Sequence, residues 1–300
     1  MCGIVGLYLK NPKLENEIGK LFEPMMEAMT NRGPDSAGFA IYGDEVATGV
    51  KLTLQHDNVD YPWHELQGEL SETYGSEVSL DIHSTAVVLK INANEEDVRS
   101  FIEASHPEVS VMSVGKSIEI LKGMGLPVDV TDRFNLKGMK GTHIIGHTRM
   151  ATESAVTTEG SHPFSTGMDL CLAHNGSLSN HNRLREELKR EGIKFQTEND
   201  SEVAAGYLAW RLREGDSLKQ ALESGLEALD GFYTFVIGTQ NGFAVIRDPV
   251  ACKPAIMAET EDYVAFASEY HALADLPGIE NAKLWEPEPA TVYTWGSDAA

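Results

Sequence analysis

The chain opens Met1-Cys2-Gly3-Ile4-Val5-Gly6, and the reading of Cys2 decides how everything downstream is interpreted. Loss of the initiator methionine would make Cys2 the first residue, with a thiol and a free α-amino group on one residue. An α-amino group has an ordinary pKa of about 7.7–8.0, so near neutral pH part of it is uncharged and can take a thiol proton. Gly3 and Gly6 leave little bulk beside Ile4 and Val5, and Gly3–Leu9 reads as a short apolar strand. A buried first strand with an incidental cysteine fits the same residues, so the choice passes to the later motifs.

The 300 residues are enough for one large or two small domains with a sizeable core. With 24 Lys and Arg against 46 Asp and Glu, the formal charge is −22, which argues against nucleic acid and anionic membranes as partners. The three cysteines, Cys2, Cys171 and Cys252, are too few and too far apart for a disulfide framework. Cys171 and Cys252 lie in or beside expected strands and read as core residues. No signal peptide or long apolar run is legible, which implies a reduced, cytoplasmic setting. No His, Cys and carboxylate run has metal-ligand spacing, so no metal is expected.

Pro12 precedes a helix carrying Leu14, Ile18, Leu21, Phe22, Met25 and Met29 on one face, and its methionines read as core packing. Arg32-Gly33-Pro34-Asp35-Ser36 then makes a tight loop. Ala37–Tyr42 and Ala47–Leu54 read as strands joined in a hairpin at Gly43-Asp44. Residues 56–76 give no clear assignment. From about 80 to 130 a β-α-β-α pattern suggests a small inserted lobe: a strand at Thr85–Ile91, a helix at Glu95–Ala104, a strand at Val109–Ser113 and a helix at Lys116–Met124. A strand from Thr142 runs into Gly146-His147-Thr148-Arg149, and His162-Pro163 follows a polar loop. Another strand ends in His174-Asn175-Gly176. Helices are expected from Ser179 to Arg190 and from Glu198-Asn199-Asp200-Ser201-Glu202 onward. Short strands alternate through the remainder, with a hairpin at Gln240-Asn241-Gly242.

Several of these polar groups form one chemical set. Arg149 presents a planar fork suited to a carboxylate. Asp200 can accept from an ammonium group. Asn175 and Gly176 offer a side-chain NH₂ and an unhindered backbone N–H, the donors an oxyanion hole needs. With Cys2 as nucleophile, the set fits an α-amino acid carrying a scissile side-chain amide. Taken singly, each has a structural reading: a turn at Asn175-Gly176, an N-cap at Asp200, an ion pair at Arg149, and loop-supporting hydrogen bonds at His147, His162 and His174.

The ordered motifs Cys2–Gly6, Arg32–Ser36, Gly146–Arg149, His162-Pro163, His174–Gly176 and Asp200–Glu202 resemble those of the class II glutamine amidotransferases, which are N-terminal-nucleophile hydrolases. Asp230-Gly231-Phe232-Tyr233-Thr234-Phe235-Val236, Arg247-Asp248-Pro249 and Ala267-Ser268-Glu269 extend the likeness over nearly the whole chain. The resemblance implies an α+β fold, a four-layer αββα sandwich of two facing antiparallel sheets. It implies one amidotransferase domain over residues 1–300, with the inserted αβ lobe at about 56–138. Cys2 would attack the amide, Asn175 and Gly176 would hold the oxyanion, and Arg149 and Asp200 would bind the α-carboxylate and α-ammonium. Thr152 would assist at the carboxylate end, with Arg32 and His162 in support. Glucosamine-6-phosphate synthase has an aromatic residue where Met150 stands and a histidine where Glu153 stands, so those positions depart from the pattern.

No phosphoribosyltransferase, isomerase or synthetase segment is legible. Trp210-Arg211-Leu212-Arg213-Glu214-Gly215 and Ala251-Cys252-Lys253-Pro254 look like the glutaminase-type subunit of split, glutamate synthase-like enzymes such as N-methylglutamate synthase. That likeness implies a hetero-oligomer whose flavin sits on a partner chain, with no cofactor on this one. It leaves open whether glutamine or a γ-glutamyl alkylamide is the substrate. A free-standing glutaminase and a non-enzymatic glutamine-binding regulatory subunit are the alternatives.

Overall fold

The computed structural model describes residues 2–151 and 156–297. Two antiparallel sheets stack face to face, with helices on both outer faces. The larger sheet runs in the order Lys283–Trp285, Ile256–Glu259, Tyr263–Ala267, Gly3–Leu9, His143–Arg149, Ser36–Tyr42, Ile118–Met124. The smaller runs Val292–Gly296, Gly242–Arg247, Gly231–Thr239, Leu170–Leu178, Phe164–Gly167. This is the αββα sandwich that the family resemblance implies.

The alternation of side chains along a strand explains the layers. Val5, Leu7 and Leu9 of the first strand pack with Ile18, Phe22, Met25, Met26 and Met29 of the outer helix region. Ile4 points the other way, into the seam between the sheets with Ile145, Ala173, Val236, Phe243 and Phe266. Gly6 is required there, since a β-carbon would lie 2.8 Å from the Phe243 ring. On the far side, Leu184, Leu188, Val203, Leu208, Leu218 and Leu222 cover the smaller sheet. They come from the helices His181–Arg190, Asp200–Arg213 and Leu218–Ala228. No helix among the described residues is long and apolar enough to cross a membrane.

Two expected features differ, and one helix is present that the sequence reading does not include. Ser36–Tyr42 and Val50–Gln55 do not form a hairpin. Ser36–Tyr42 already has neighbours on both sides, His143–Arg149 and Ile118–Met124, so the chain leaves after Tyr42 and Val50–Gln55 joins a separate sheet. Lys116–Met124 is not a helix: Ile118–Met124 is the edge strand of the large sheet. Ile118 and Ile120 face the seam while Leu121 faces the helix layer, so both faces are apolar and the period-2 signal is hidden. The helix Leu218–Ala228 went unread, although Ser217 and Gln220 form a capping box at its start.

The separate four-stranded sheet, in the order Val78–His83, Ala86–Ile91, Val50–Gln55, Ser110–Gly115, is the core of the lobe. Its helices Trp63–Tyr74 and Glu95–Ser105 close an apolar core containing Leu52, Trp63, Leu66, Leu89, Val98 and Ile102. The lobe's elements thus run from Val50 to Gly115, and residues after Ile118 return to the sandwich. Cys171 is buried in the seam as expected, but Cys252 is exposed, on the loop after Asp248; all three cysteines are free thiols.

Candidate active site

The first strand is held on both sides, and its end carries the candidate nucleophile. Gly3 pairs with Thr148, so the antiparallel register brings Cys2 level with Arg149. Gly3 and Gly33 permit this closeness: a β-carbon on Gly3 would meet Thr148 Oγ1 at 2.8 Å, and one on Gly33 would meet the Thr148 carbonyl carbon at 2.3 Å. From the far side, Ile4 N donates to Ser268 Oγ at 2.9 Å and Ser268 N donates to Ile4 O at 2.9 Å.

The Cys2 carbonyl is where the two sheets meet. Arg32 Nε donates to it at 2.9 Å, and Asn175 Nδ2 donates to it at 3.2 Å. Arg32 is buried, and its guanidinium pairs with Glu269 at 2.6 Å. The thiol itself is unburdened by strong bonds: Cys2 Sγ–H donates to the Met150 carbonyl at 3.9 Å. Asp35 fixes the chain around Met150, since Asp35 N donates to Arg149 O at 3.1 Å and Asp35 Oδ2 accepts from Ala151 N at 2.8 Å. Arg32, Gly33 and Asp35 of the Arg32–Ser36 loop therefore each have a structural task.

Asn175 and Gly176 lie inside the strand Leu170–Leu178, not at its end as expected. Gly176 has φ +156°, and a β-carbon would sit 2.0 Å from Phe232 O, so only glycine fits. Asp200 opens the helix Asp200–Arg213, but Asn199 is the residue that caps it, accepting from Ser201 N. The Asp200 carboxylate accepts from Leu178 N at 2.8 Å and from Ser201 Oγ at 3.3 Å. A carboxylate has roughly four acceptor positions, so two remain for another donor. Arg149 is buried at 7% exposure, beside His147 and His162. Thr152 and Glu153 lie outside the described residues.

Three buried histidines join these groups. His162 Nε2 and His174 Nδ1 each reach Ser201 Oγ at 2.8 Å, and His147 Nε2 donates to His174 O at 3.0 Å. A hydroxyl has one proton and two lone pairs, so if Ser201 donates to Asp200, both imidazoles donate to Ser201. The His147 and His162 rings stack with centroids 4.0 Å apart. Burial pushes the His147 pKa down to about 3 and that of His174 to about 4, and it carries His162 well below its ordinary value. All three are neutral at physiological pH, so His162 supports the site as a neutral hydrogen-bonding ring. Ser201, Asp35 and Glu269 belong to this framework and were not singled out as site residues. Arg247 and Asp248 are also structural: they hold the loop to Lys253 through the carbonyls of Ala251 and Lys253 and the amides of Val250 and Ala251.

Comparison with known proteins agrees with this arrangement. A glutamine amidotransferase domain model matches residues 147–275. The glutamine amidotransferase-like protein GlxB of Rhizobium meliloti is 56% identical over 100% of both chains. The chain belongs to the class II glutamine amidotransferases. Another amidotransferase relative, a putative glutamine amidotransferase of Methanothermobacter thermautotrophicus, is 32% identical over 98% of this chain and 99% of its own. The amidophosphoribosyltransferase of that organism is 35% identical over 58% of this chain, which spans only 37% of that longer protein. In structure, the glutamine phosphoribosylpyrophosphate amidotransferase of Bacillus subtilis superposes with a TM-score of 0.63 at 22% identity, over 99% of this chain and 48% of that one, and shares the fold.

Proposed function

We propose that this amidotransferase hydrolyses the side-chain amide of glutamine, or of a γ-glutamyl alkylamide, and passes the released ammonia or amine to a partner synthase. The observation that carries the reading is the Cys2 carbonyl bound at once by Arg32 and Asn175. It fixes the first residue after Met1 within reach of both sheets while leaving the thiol lightly held.

In this scheme, removal of Met1 frees the Cys2 amine. The amine takes the thiol proton, and Sγ attacks the amide carbon. The charge that develops on oxygen is received by the second N–H of the Asn175 side chain and by the Gly176 N–H. The ammonium proton passes to the departing nitrogen, which leaves as ammonia or alkylamine. Water then cleaves the thioester, releasing glutamate and restoring the thiol. Arg149 binds the α-carboxylate, with Thr152 assisting, and Asp200 binds the α-ammonium through its open acceptor positions. A flavin-bearing, glutamate synthase-like chain of the N-methylglutamate synthase kind is the partner proposed, with the flavin on that chain.

Mass spectrometry of the purified chain checks for loss of Met1. Turnover of glutamine and γ-glutamylmethylamide is then compared for the isolated chain and for a complex reconstituted with the synthase-like partner. Slow turnover alone and faster turnover in the complex are expected. Equal rates in both states would favour a free-standing glutaminase, and no hydrolysis in either would leave a glutamine-binding regulatory subunit.

A further inference from the structure

Lys122 is a lysine in an apolar strand, 4% exposed, with no carboxylate in hydrogen-bond range among the described residues. Its ammonium instead donates to three carbonyls: Glu159 O at 3.0 Å, Ser161 O at 2.9 Å and Pro163 O at 3.5 Å. It also lies 4.9 Å from the centre of the Phe164 ring. Burial lowers its pKa to about 8, with Glu159 and Glu202 opposing the shift. Buried ammonium groups are costly unless well bonded, and a methionine of similar length would fill the same space without that cost. The bonds must then achieve something that packing does not.

The geometry shows what they hold. His147, Gly38 and Lys122 lie abreast on three neighbouring strands. The backbone at His162 crosses over Gly38, where a β-carbon would come within 2.3 Å of His162 O. Lys122 grips the carbonyls on either side of His162, those of Ser161 and Pro163. The His162 ring is thereby laid against His147, two residues before Arg149, while its Nε2 meets Ser201, next to Asp200. One imidazole thus spans the strand that bears the anion clamp and the helix that bears the cation clamp. The lobe reaches the same point, because Gln55 Nε2 donates to Lys122 O at 2.9 Å and Ser110 Oγ donates to Glu159 Oε1 at 3.2 Å.

We propose that Lys122 is a positioning residue for substrate recognition: by fixing the backbone on both sides of His162, it sets the spacing between Arg149 and Asp200. This rests on the reading that those two residues bind the α-carboxylate and α-ammonium of a γ-glutamyl substrate. Lys122 touches no reacting atom, so its loss should weaken binding and spare the chemical step.

The test labels Cys2 in the full-length protein with a diazoketone analogue of glutamine and separates the half-saturating concentration from the maximal rate. In Lys122→Met we expect the half-saturating concentration to rise about 10-fold or more while the maximal rate stays within about 3-fold. Amide exchange over residues 159–164 should quicken in the same variant. In Lys122→Arg, which keeps the charge but brings a larger, planar head group into a space shaped for an ammonium, a rise of about 3-fold is expected. A folded Lys122→Met protein with an unchanged half-saturating concentration overturns the proposal, as does one that loses labelled fraction or thermal stability alone. Should Lys122→Met fail to fold, Lys122→Arg decides, and wild-type saturation there overturns it. If wild-type Cys2 shows no saturable labelling, the amidotransfer reading has failed instead.

Discussion

The two sheets reach the candidate site by different electrostatic means. On the large sheet the groups are charged: Arg32 pairs with Glu269 and binds the Cys2 carbonyl, and Arg149 ends the neighbouring strand. On the small-sheet side the groups that approach the site are neutral, with His174 and Asn175 on the strand and His162 and Ser201 behind it, and Asp200 is the partly exposed carboxylate bonded to Ser201. The difference separates two tasks. A charged anchor, partly open to solvent through Glu269, holds the backbone of Cys2. A buried network of neutral rings and hydroxyl links the strand of His174 and Asn175 to the Asp200 carboxylate.

Four measurements can break that division of labour. The largest effect belongs to Cys2→Ala, which should abolish amide hydrolysis while leaving circular dichroism and thermal unfolding near wild type; residual turnover close to wild type would remove Cys2 as nucleophile. Next is Asn175→Ala, expected to lower kcat by about 10²–10³ with a smaller change in KM, as for a lost oxyanion donor. An Asn175 variant that alters KM alone would place the residue with the binding groups. Arg149→Ala and Asp200→Ala should raise KM by about 10-fold or more and change kcat less, because contacts to α-groups persist through the reaction. If Arg149→Ala leaves KM unchanged, the carboxylate clamp lies elsewhere.

The last effect is on stability and accumulates gradually with pH. His147 and His174 have folded pKa values of about 3 and 4, below the ordinary 6.5, and His162 shifts the same way. The unfolded chain therefore binds more protons below pH 6.5. Their contribution is complete above that pH and is lost as pH falls towards 4, at up to about 1.4 kcal/mol per pH unit per histidine. Denaturant midpoints measured from pH 7 to 4.5 should fall accordingly, and replacing His162 by glutamine should flatten the slope. A profile already flat in the wild type would mean that water or protons reach the network freely.

What the sequence disclosed followed from how local each signal is. Cys2, Arg149 and Asp200 announce themselves by residue type, and the glycines around them mark close backbone approaches. The strand Ile118–Met124 was misread as a helix because both its faces are buried, and Ile118 and Leu121 also suit a helical spacing. The supposed hairpin at Gly43-Asp44 failed because pairing is decided by strands that arrive about 80–110 residues later. Ser201 and Lys122 were silent for a related reason. A serine in a first helical turn and a lysine in a strand are ordinary until the fold shows what surrounds them.

The placement of the first strand has a consequence for how the molecule is made. Its neighbours in the sheet are His143–Arg149 and Tyr263–Ala267. A ribosome adding about 5–20 residues per second takes roughly 12–50 s to travel from the first strand to the second of these. During that time the thiol-bearing end has an open edge, and Glu269, which anchors Arg32, has not been synthesised. Cys2 is translated long before Tyr263–Ala267 and Glu269, so the nascent chain carries the candidate nucleophile well ahead of part of the framework that holds it.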